Sequence, residues 1–131
     1  MSDNSTAIVD AITAKWSAAF TRLDADALSS LYSEHALFYG SVPTLFRGRK
    51  GVADYFNGLT RWPSPTAKFS DLVIIPVGAD VINMAGQATF MRNADLPPLH
   101  VKITWIISRE DDQWRIISHH VSPIAPLIAR D

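Results

Sequence analysis

Four long segments with the alternating pattern of β-strands follow one another after Pro65, and no helical pattern separates them. They cover about Lys68–Val77, Val81–Arg92, His100–Arg109 and Trp114–Ser122. The breaks between them, GAD, NADLPP and EDD, consist of turn-forming residues. Strands joined by such short breaks form antiparallel meanders. The pattern therefore predicts that the second half of the chain is a single antiparallel sheet.

The first half of the chain carries three helical patterns and one strand pattern. Apolar residues at helical spacing mark a first helix from Ser5 to Arg22, and Asp24 is placed to cap a shorter helix in DADALSSLY. HALFYGS predicts a short strand, and RGRKGVADYFNGL returns to the helical period. Helices that precede a run of strands predict an α+β domain with the helices on one face of a curved sheet. We expect one such domain over residues 1–131.

One face of the predicted sheet is apolar, and the other is mixed rather than rich in charge. In LHVKITWIIS, the alternate positions from Leu99 to Ile107 are all apolar, whereas those between them include Lys102 beside neutral side chains. Three helices can cover only one side of the sheet, so we expect a homodimer in which a second copy covers the other side. The alternative is a lightly polar face exposed to water, which antiparallel sheets tolerate.

Composition argues against several classes of function. The net charge is −1 and no basic face stands out, so neither nucleic acid nor an anionic membrane is an expected partner. The chain has no cysteine, which excludes disulfides, thiolate chemistry and cysteine-ligated zinc. MSDNSTAIVD lacks the pattern of a signal peptide, and no apolar run approaches the roughly 20 residues of a membrane span. We expect a soluble, cytoplasmic protein that uses neither a metal nor a cofactor.

Three stretches carry a resemblance to a known family: LYSEHALFYGSVPTLFRGRKGVADYF, PVGADVINMAGQATF and WRIISHHVSPIAP. Together they resemble the nuclear transport factor 2-like superfamily, nearest to its SnoaL-like and kinase association-domain branch. The last stretch is similar to the closing strand of the calcium/calmodulin-dependent kinase II association domain, with matches at Trp114, His120 and Ser122. The resemblance implies a cone-shaped, cystatin-like half barrel whose three N-terminal helices pack on the concave face of the sheet. It also implies a pocket between the two layers and dimers formed through the sheet.

Two adjacent histidines lie near the end of the last predicted strand. Neighbours on a strand point to opposite faces, so His119 and His120 are a poor metal chelate and cannot share one task. We predict that His120 faces the pocket, because the family resemblance falls on that position, and that it acts as an acid or base near neutral pH. The alternative is a core histidine that is hydrogen-bonded to a serine or to the backbone.

Two further residues are candidate catalytic groups. The resemblance places Tyr39 at the pocket wall, where its hydroxyl would donate to a carbonyl or a developing oxyanion. Asp71, if buried in its strand, would have a raised pKa and could act as a base. The alternatives are an aromatic core residue for Tyr39 and a strand-end or edge position for Asp71. The expected substrate-binding residues are Trp16, Phe20, Ser41, Tyr55, Phe56, Trp62, Met84, Met91, Trp105 and Ser122.

The sequence favours a protein with a pocket for a small molecule. The resemblance implies that, as an enzyme, it is a cofactor-independent acid–base catalyst of isomerase, dehydratase or cyclase type, acting on a small apolar, polyketide-like or steroid-like substrate. The alternative is a non-catalytic ligand-binding or association domain. Association domains carry an arginine on the penultimate strand at the position that Trp105 occupies here, so we do not expect an arginine-lined carboxylate site on that strand.

Overall fold

The computed structural model describes residues 4–128. The helices are α1 (Ser5–Thr21), α2 (Ala25–Ser29) and α3 (Gly48–Asn57). The strands are β1 (Tyr32–Tyr39), β2 (Leu45–Arg47), β3 (Thr66–Pro76), β4 (Val81–Met91), β5 (Leu99–Glu110) and β6 (Gln113–Pro123). The α+β class, the three helices and the four long C-terminal strands are as the sequence predicted.

The six strands form one curved, open sheet in the order β2-β1-β6-β5-β4-β3. Strands β3 to β6 pair antiparallel with their neighbours, as their short connections predicted. β1 and β6, in contrast, are parallel. These two strands are distant in sequence, so no tight turn forces them to run in opposite directions. β2 pairs antiparallel with β1, and its three residues are too few to show an alternating pattern in the sequence.

The helices cover the concave face of the sheet. Helix α1 packs on β3, and α3 packs on β1. The apolar stripe of α1 is buried and consists of Val9, Ile12, Trp16, Ala19 and Phe20. Asp24 caps α2, as predicted, because its Oδ1 accepts a hydrogen bond from the backbone N–H of Ala27 at 3.0 Å. None of the helices within residues 4–128 is long and apolar enough to cross a membrane.

A β-bulge interrupts β3. The register shifts between Ser70 and Val73, where two residues of β3 oppose Gly86 of β4. Asp71, the first of the two, has a φ of 54°, a left-handed conformation that aspartate adopts more readily than most residues. A Cβ atom on Gly86 would lie 3.0 Å from the backbone oxygen of Asp71 and from Cα of Leu72, so glycine gives the bulge room that a larger residue would take up. The bulge leaves the Asp71 side chain exposed.

A second bulge lies in β6, and it decides which residues of that strand face inward. Ile107 of β5 pairs with Ile116, but the preceding Ile106 pairs with Ser118, so Ile117 is an extra residue. Ile116 is fully buried. Beyond the bulge, the inward positions change from even-numbered to odd-numbered residues.

Candidate functional site

A cavity of about 510 Å³ lies between the helices and the concave face of the sheet. Its apolar wall is formed by Trp16, Phe20, Phe38, Tyr55, Phe56, Leu59, Trp62, Phe90, Leu99, Val101 and Val121. The more polar residues that line it are Ser41, Thr60, Arg92, His100, His119 and Ser122. A concave, mainly aromatic wall with a few polar groups is the usual form of a small-molecule site, and the volume is in the usual range of roughly 300–1,000 Å³.

His119 is held firmly in this wall. It is 4% exposed, and its ring stacks on that of Phe38 with the centroids 4.0 Å apart. Two hydrogen-bonding groups meet its Nδ1 atom: the Tyr32 hydroxyl at 2.8 Å and Nε1 of Trp105 at 2.9 Å. Tyr32 and Trp105 are themselves fully buried. The imidazole therefore has a fixed orientation.

The hydrogen bonds also determine the tautomer of His119. An indole N–H can only donate, so its bond to Nδ1 requires that nitrogen to be unprotonated. Tyr32 accepts a hydrogen bond from Nε1 of Trp16 at 3.0 Å, which leaves its own proton for Nδ1 of His119. A neutral imidazole with a bare Nδ1 carries its proton on Nε2. Since the described hydrogen bonds of this ring both end at Nδ1, its N–H donor is left for the cavity.

Burial keeps this network uncharged. Loss of hydration, helped by the charge of the adjacent His120, lowers the pKa of His119 to about 3. Burial also raises the pKa of Tyr32 well above its usual value, so the hydroxyl keeps its proton. At neutral pH His119 is therefore a poor base and a stable hydrogen-bond donor.

The structure corrects the predicted orientation of the two histidines. They lie on opposite faces of the sheet, as their adjacency predicted, but His119 lines the cavity and His120 is exposed on the convex face. The prediction that His120 faces the pocket is therefore wrong. The bulge at Ile117 is the reason, because without it the inward series that includes Ile116 would continue to His120.

The other two predicted catalytic residues also lie outside the cavity wall. Tyr39 is 39% exposed and pairs with His120 on the convex face, where the two ring centroids are 5.5 Å apart. It points outward because Phe38, its neighbour on the strand, takes the inward position and is buried. Asp71 lies at the exposed bulge of β3 rather than in a buried strand. The Asp71 carboxylate and the Tyr39 phenol are therefore not positioned to act on a ligand in this cavity.

Most of the predicted substrate-binding residues do line the cavity, namely Trp16, Phe20, Ser41, Tyr55, Phe56, Trp62 and Ser122. Met84 and Trp105 do not, because both are fully buried in the core behind the wall. Met91 is exposed, because the inward position at that end of β4 belongs to Phe90. Trp105 contributes indirectly, through its hydrogen bond to His119.

Tyr55 and Ser41 form the rim of the cavity next to Gly40. The Tyr55 hydroxyl accepts from the backbone N–H of Ser41 at 2.9 Å and lies 2.7 Å from the Ser41 hydroxyl. A Cβ atom on Gly40 would lie 2.4 Å from Cζ of Tyr55. Glycine at this position therefore allows the tyrosine ring to lie against the end of β1.

The formal charge of the described cavity lining is positive. Among the described residues that line it there is no aspartate or glutamate, and Arg92 supplies a positive charge. Within residues 4–128, no three histidine, aspartate or glutamate side chains are grouped so that they could hold a metal ion. The sequence prediction considered His119 but chose His120 in its place, and it did not include Phe38 or Arg92. The alternation of β1 could have indicated Phe38, whereas the other two depend on the bulge of β6 and on the path of the β4–β5 loop.

Comparison with known proteins identifies the fold. A family profile described as SnoaL-like domain matches residues 9–126. A Xanthomonas campestris structure, provisionally described as a calcium/calmodulin-dependent protein kinase II association domain, is 20% identical with a TM-score of 0.80, covering 91% of this chain and 87% of that one. A nuclear transport factor 2-like protein with a cystatin-like fold, from Novosphingobium aromaticivorans, is 15% identical with a TM-score of 0.80, covering 93% and 83%.

A third similar structure, from Streptomyces avermitilis, is provisionally described as a dehydratase of the nuclear transport factor 2-like family. It is 17% identical with a TM-score of 0.80, covering 96% of this chain and 100% of that one. No curated protein sequence matches. Identities this low establish a shared fold and leave the activity open. The family match, in contrast, spans most of the chain, and this protein therefore belongs to the SnoaL-like domain family.

Proposed function

We propose that the protein binds a small, mainly apolar molecule that carries an oxygen acceptor such as a carbonyl, and that Nε2–H of His119 recognises this oxygen. The observation that carries the proposal is that the hydrogen bonds of His119 both end at Nδ1, so its N–H donor is left for the cavity. A hydrogen bond from this donor to a ligand oxygen would contribute about 0.5–1.5 kcal/mol to binding. The aromatic wall supplies affinity by burying apolar surface.

The Nε2–H donor of His119 favours a catalytic function of isomerase or dehydratase type. A neutral, immobile imidazole N–H stabilises negative charge that develops on a carbonyl oxygen when a proton is removed from the neighbouring carbon. The dehydratase description of the Streptomyces avermitilis protein agrees with such chemistry. In this proposal His119 stabilises the oxyanion, and the acid–base roles expected for His120, Tyr39 and Asp71 are given up because of their positions.

A non-catalytic ligand-binding domain is the second candidate. It is favoured by the absence of a carboxylate among the described residues that line the cavity, which leaves the wall without the usual strong candidate for a general base. The two candidates share the same ligand chemistry and differ in whether a proton is removed from the bound molecule.

A binding titration tests the ligand chemistry that the catalytic and non-catalytic candidates share. Small aromatic ketones and hydrocarbons of the same shape would be titrated against the protein, with tryptophan fluorescence as the signal because Trp16 and Trp62 line the cavity. We expect the ketone to bind about tenfold more tightly, the effect of one hydrogen bond of roughly 1.4 kcal/mol. Equal affinities for ketone and hydrocarbon in the unmodified protein would contradict the role of His119.

Variants of the two histidines supply a matched pair for the same titration. His119→Phe keeps a flat ring but removes the donor, so we expect it to lose the preference for the ketone and to keep its affinity for the hydrocarbon. His120→Gln is the control and should behave as the unmodified protein, because its side chain lies on the opposite face. A loss of affinity in His120→Gln would show that the cavity is not the binding site.

Hydrogen exchange separates the catalytic candidate from the non-catalytic one. The protein and a bound ketone would be incubated in D₂O, and deuterium at the carbon next to the carbonyl would be followed by NMR. Catalysis predicts exchange that slows about a hundredfold in His119→Phe, the usual effect of removing one oxyanion donor. A bound ketone that exchanges at the rate of the free molecule would establish the non-catalytic function.

We also propose that the convex face forms a homodimer. Large apolar side chains are exposed there, notably Leu37, Val73 and Ile75 at 49%, 59% and 53%. A stable interface buries about 800 Å² per partner, so light scattering at tens of micromolar should give twice the monomer mass. Ile75→Lys should give a monomer, and a monomer in the unmodified protein would favour the lightly polar exposed face.

A cytoplasmic location stays a prediction, which cell fractionation of the tagged protein would check.

A further inference from the structure

Arg92 lies at the mouth of the cavity, directly after β4. Its Nη2 donates a hydrogen bond to the backbone oxygen of Pro97 at 3.0 Å, which holds the guanidinium against the β4–β5 loop. Its Nε is buried and has no hydrogen-bond partner among the described residues. A buried donor without a partner is rare in folded proteins and calls for an explanation.

Among the described residues, no acidic side chain forms an ion pair with Arg92. The ion pairs between described residues join Arg22 to Asp24, Arg49 to Glu34, Lys50 to Asp54 and Arg109 to Asp80. Arg92 takes part in none of them, and the described lining of its cavity contains no carboxylate. The positive charge therefore faces a mainly apolar cavity, where it is screened less than at the open surface.

We infer that Arg92 binds a carboxylate of the ligand at the mouth, while His119 holds a neutral oxygen deeper in the cavity. The ligand class is then an apolar carboxylic acid with a carbonyl or hydroxyl group. This inference rests on the proposed function for the position of the neutral oxygen. The hydrogen bond to Pro97 fixes the guanidinium in advance, which reduces the entropy lost when an anion binds.

A carboxylate fits this mouth better than a phosphate does. Among the described residues that line the cavity, Arg92 alone is an arginine or lysine. A ligand there would therefore meet one formal positive charge. A monoanion matches that charge, whereas a phosphate monoester carries nearly two negative charges at neutral pH. The planar guanidinium also matches the two oxygens of a carboxylate.

The test compares an acid with its neutral ester. An aromatic keto acid and its methyl ester would be titrated against the protein at low and high salt. We expect the acid to bind at least about tenfold more tightly than the ester at low salt, the effect of a charge-assisted hydrogen bond. The difference should shrink in part at high salt, because the guanidinium is half-buried and added ions screen it less than a fully exposed charge.

Two variants that remove the same charge complete the experiment. Arg92→Gln should lower the affinity for the acid about tenfold and leave that for the ester unchanged. Lys102→Gln is the control, because Lys102 is an exposed residue of the neighbouring strand β5 that does not line the cavity, and it should change neither. An equal loss for acid and ester in Arg92→Gln would overturn the inference and show that Arg92 only shapes the loop.

The outcomes also separate this inference from the proposed function. If the unmodified protein binds the ester at least as tightly as the acid, the pocket function stands and the role of Arg92 is refuted. A similar loss of acid binding in Lys102→Gln would refute it too, because net charge would then explain the effect. If ketone, acid and ester all fail to bind, the proposed function and this inference both fall.

Discussion

The two faces of the sheet hold neighbouring histidines in opposite ways. On the concave face, His119 is enclosed by aromatic rings and fixed by hydrogen bonds to Tyr32 and Trp105. On the convex face, His120 is exposed beside Tyr39, and no hydrogen bond joins its side chain to another described residue. The same side chain is thus a neutral, oriented donor on one face and a hydrated surface group on the other. The environment, and not the residue type, decides what each can do.

Replacing each histidine by phenylalanine should give the largest difference between the faces. His119→Phe leaves the Tyr32 hydroxyl and the Trp105 indole N–H without their acceptor in the core, so we expect it to lower the free energy of unfolding by about 2–4 kcal/mol. His120→Phe should change it by less than about 0.5 kcal/mol. Urea unfolding followed by circular dichroism measures both. Equal effects would show that the concave network does not stabilise the fold.

The pH dependence of stability should reflect the same contrast. Unfolded His119 binds a proton near pH 6.5, whereas the folded side chain resists protonation down to about pH 3. Because the unfolded state binds more protons between these values, the contribution is complete above about pH 6.5 and is lost as the pH falls towards 3. From pH 7 to pH 5 we expect a loss of about 2 kcal/mol from this group. His119→Gln should lack this part of the pH dependence, and His120→Gln should keep it.

Removing one hydroxyl from each face should give a smaller effect. Tyr32→Phe deletes the acceptor for Trp16 and a donor to His119, so we expect a loss of about 1–2 kcal/mol in the free energy of unfolding. Tyr39→Phe removes an exposed hydroxyl and should be neutral within about 0.5 kcal/mol. Thermal unfolding of the two variants under the same conditions provides the measurement. A larger loss in Tyr39→Phe would point to a contact on the convex face, such as the proposed dimer.

The sequence predicted what depends on local pattern and failed where a single residue changes the register. Trp16 and Phe20 were placed correctly because the helical period fixes the buried side of α1 without reference to any other element. His120 was chosen for the pocket on the family resemblance, whereas the extra residue Ile117 turns the odd-numbered positions that follow it, including His119, inward. Such a bulge depends on how β6 meets β5, and it leaves no mark in the alternation itself. The parallel pairing of β1 with β6 was missed for the same reason, since it depends on long-range packing.

Substitutions of Asp71 have the smallest expected effect on the free energy of unfolding. They test whether this residue serves only the backbone conformation of the bulge in β3. Its φ of 54° is one that glycine adopts without strain, so Asp71→Gly should change the free energy of unfolding by less than about 0.5 kcal/mol. Asp71→Val should cost about 1 kcal/mol or more, because a β-branched side chain is strained in that conformation. Both variants should bind the ketone as the unmodified protein does, since the exposed carboxylate lies outside the cavity wall. Weaker ketone binding in Asp71→Gly, at unchanged stability, would return Asp71 to the site and break the division between the two faces.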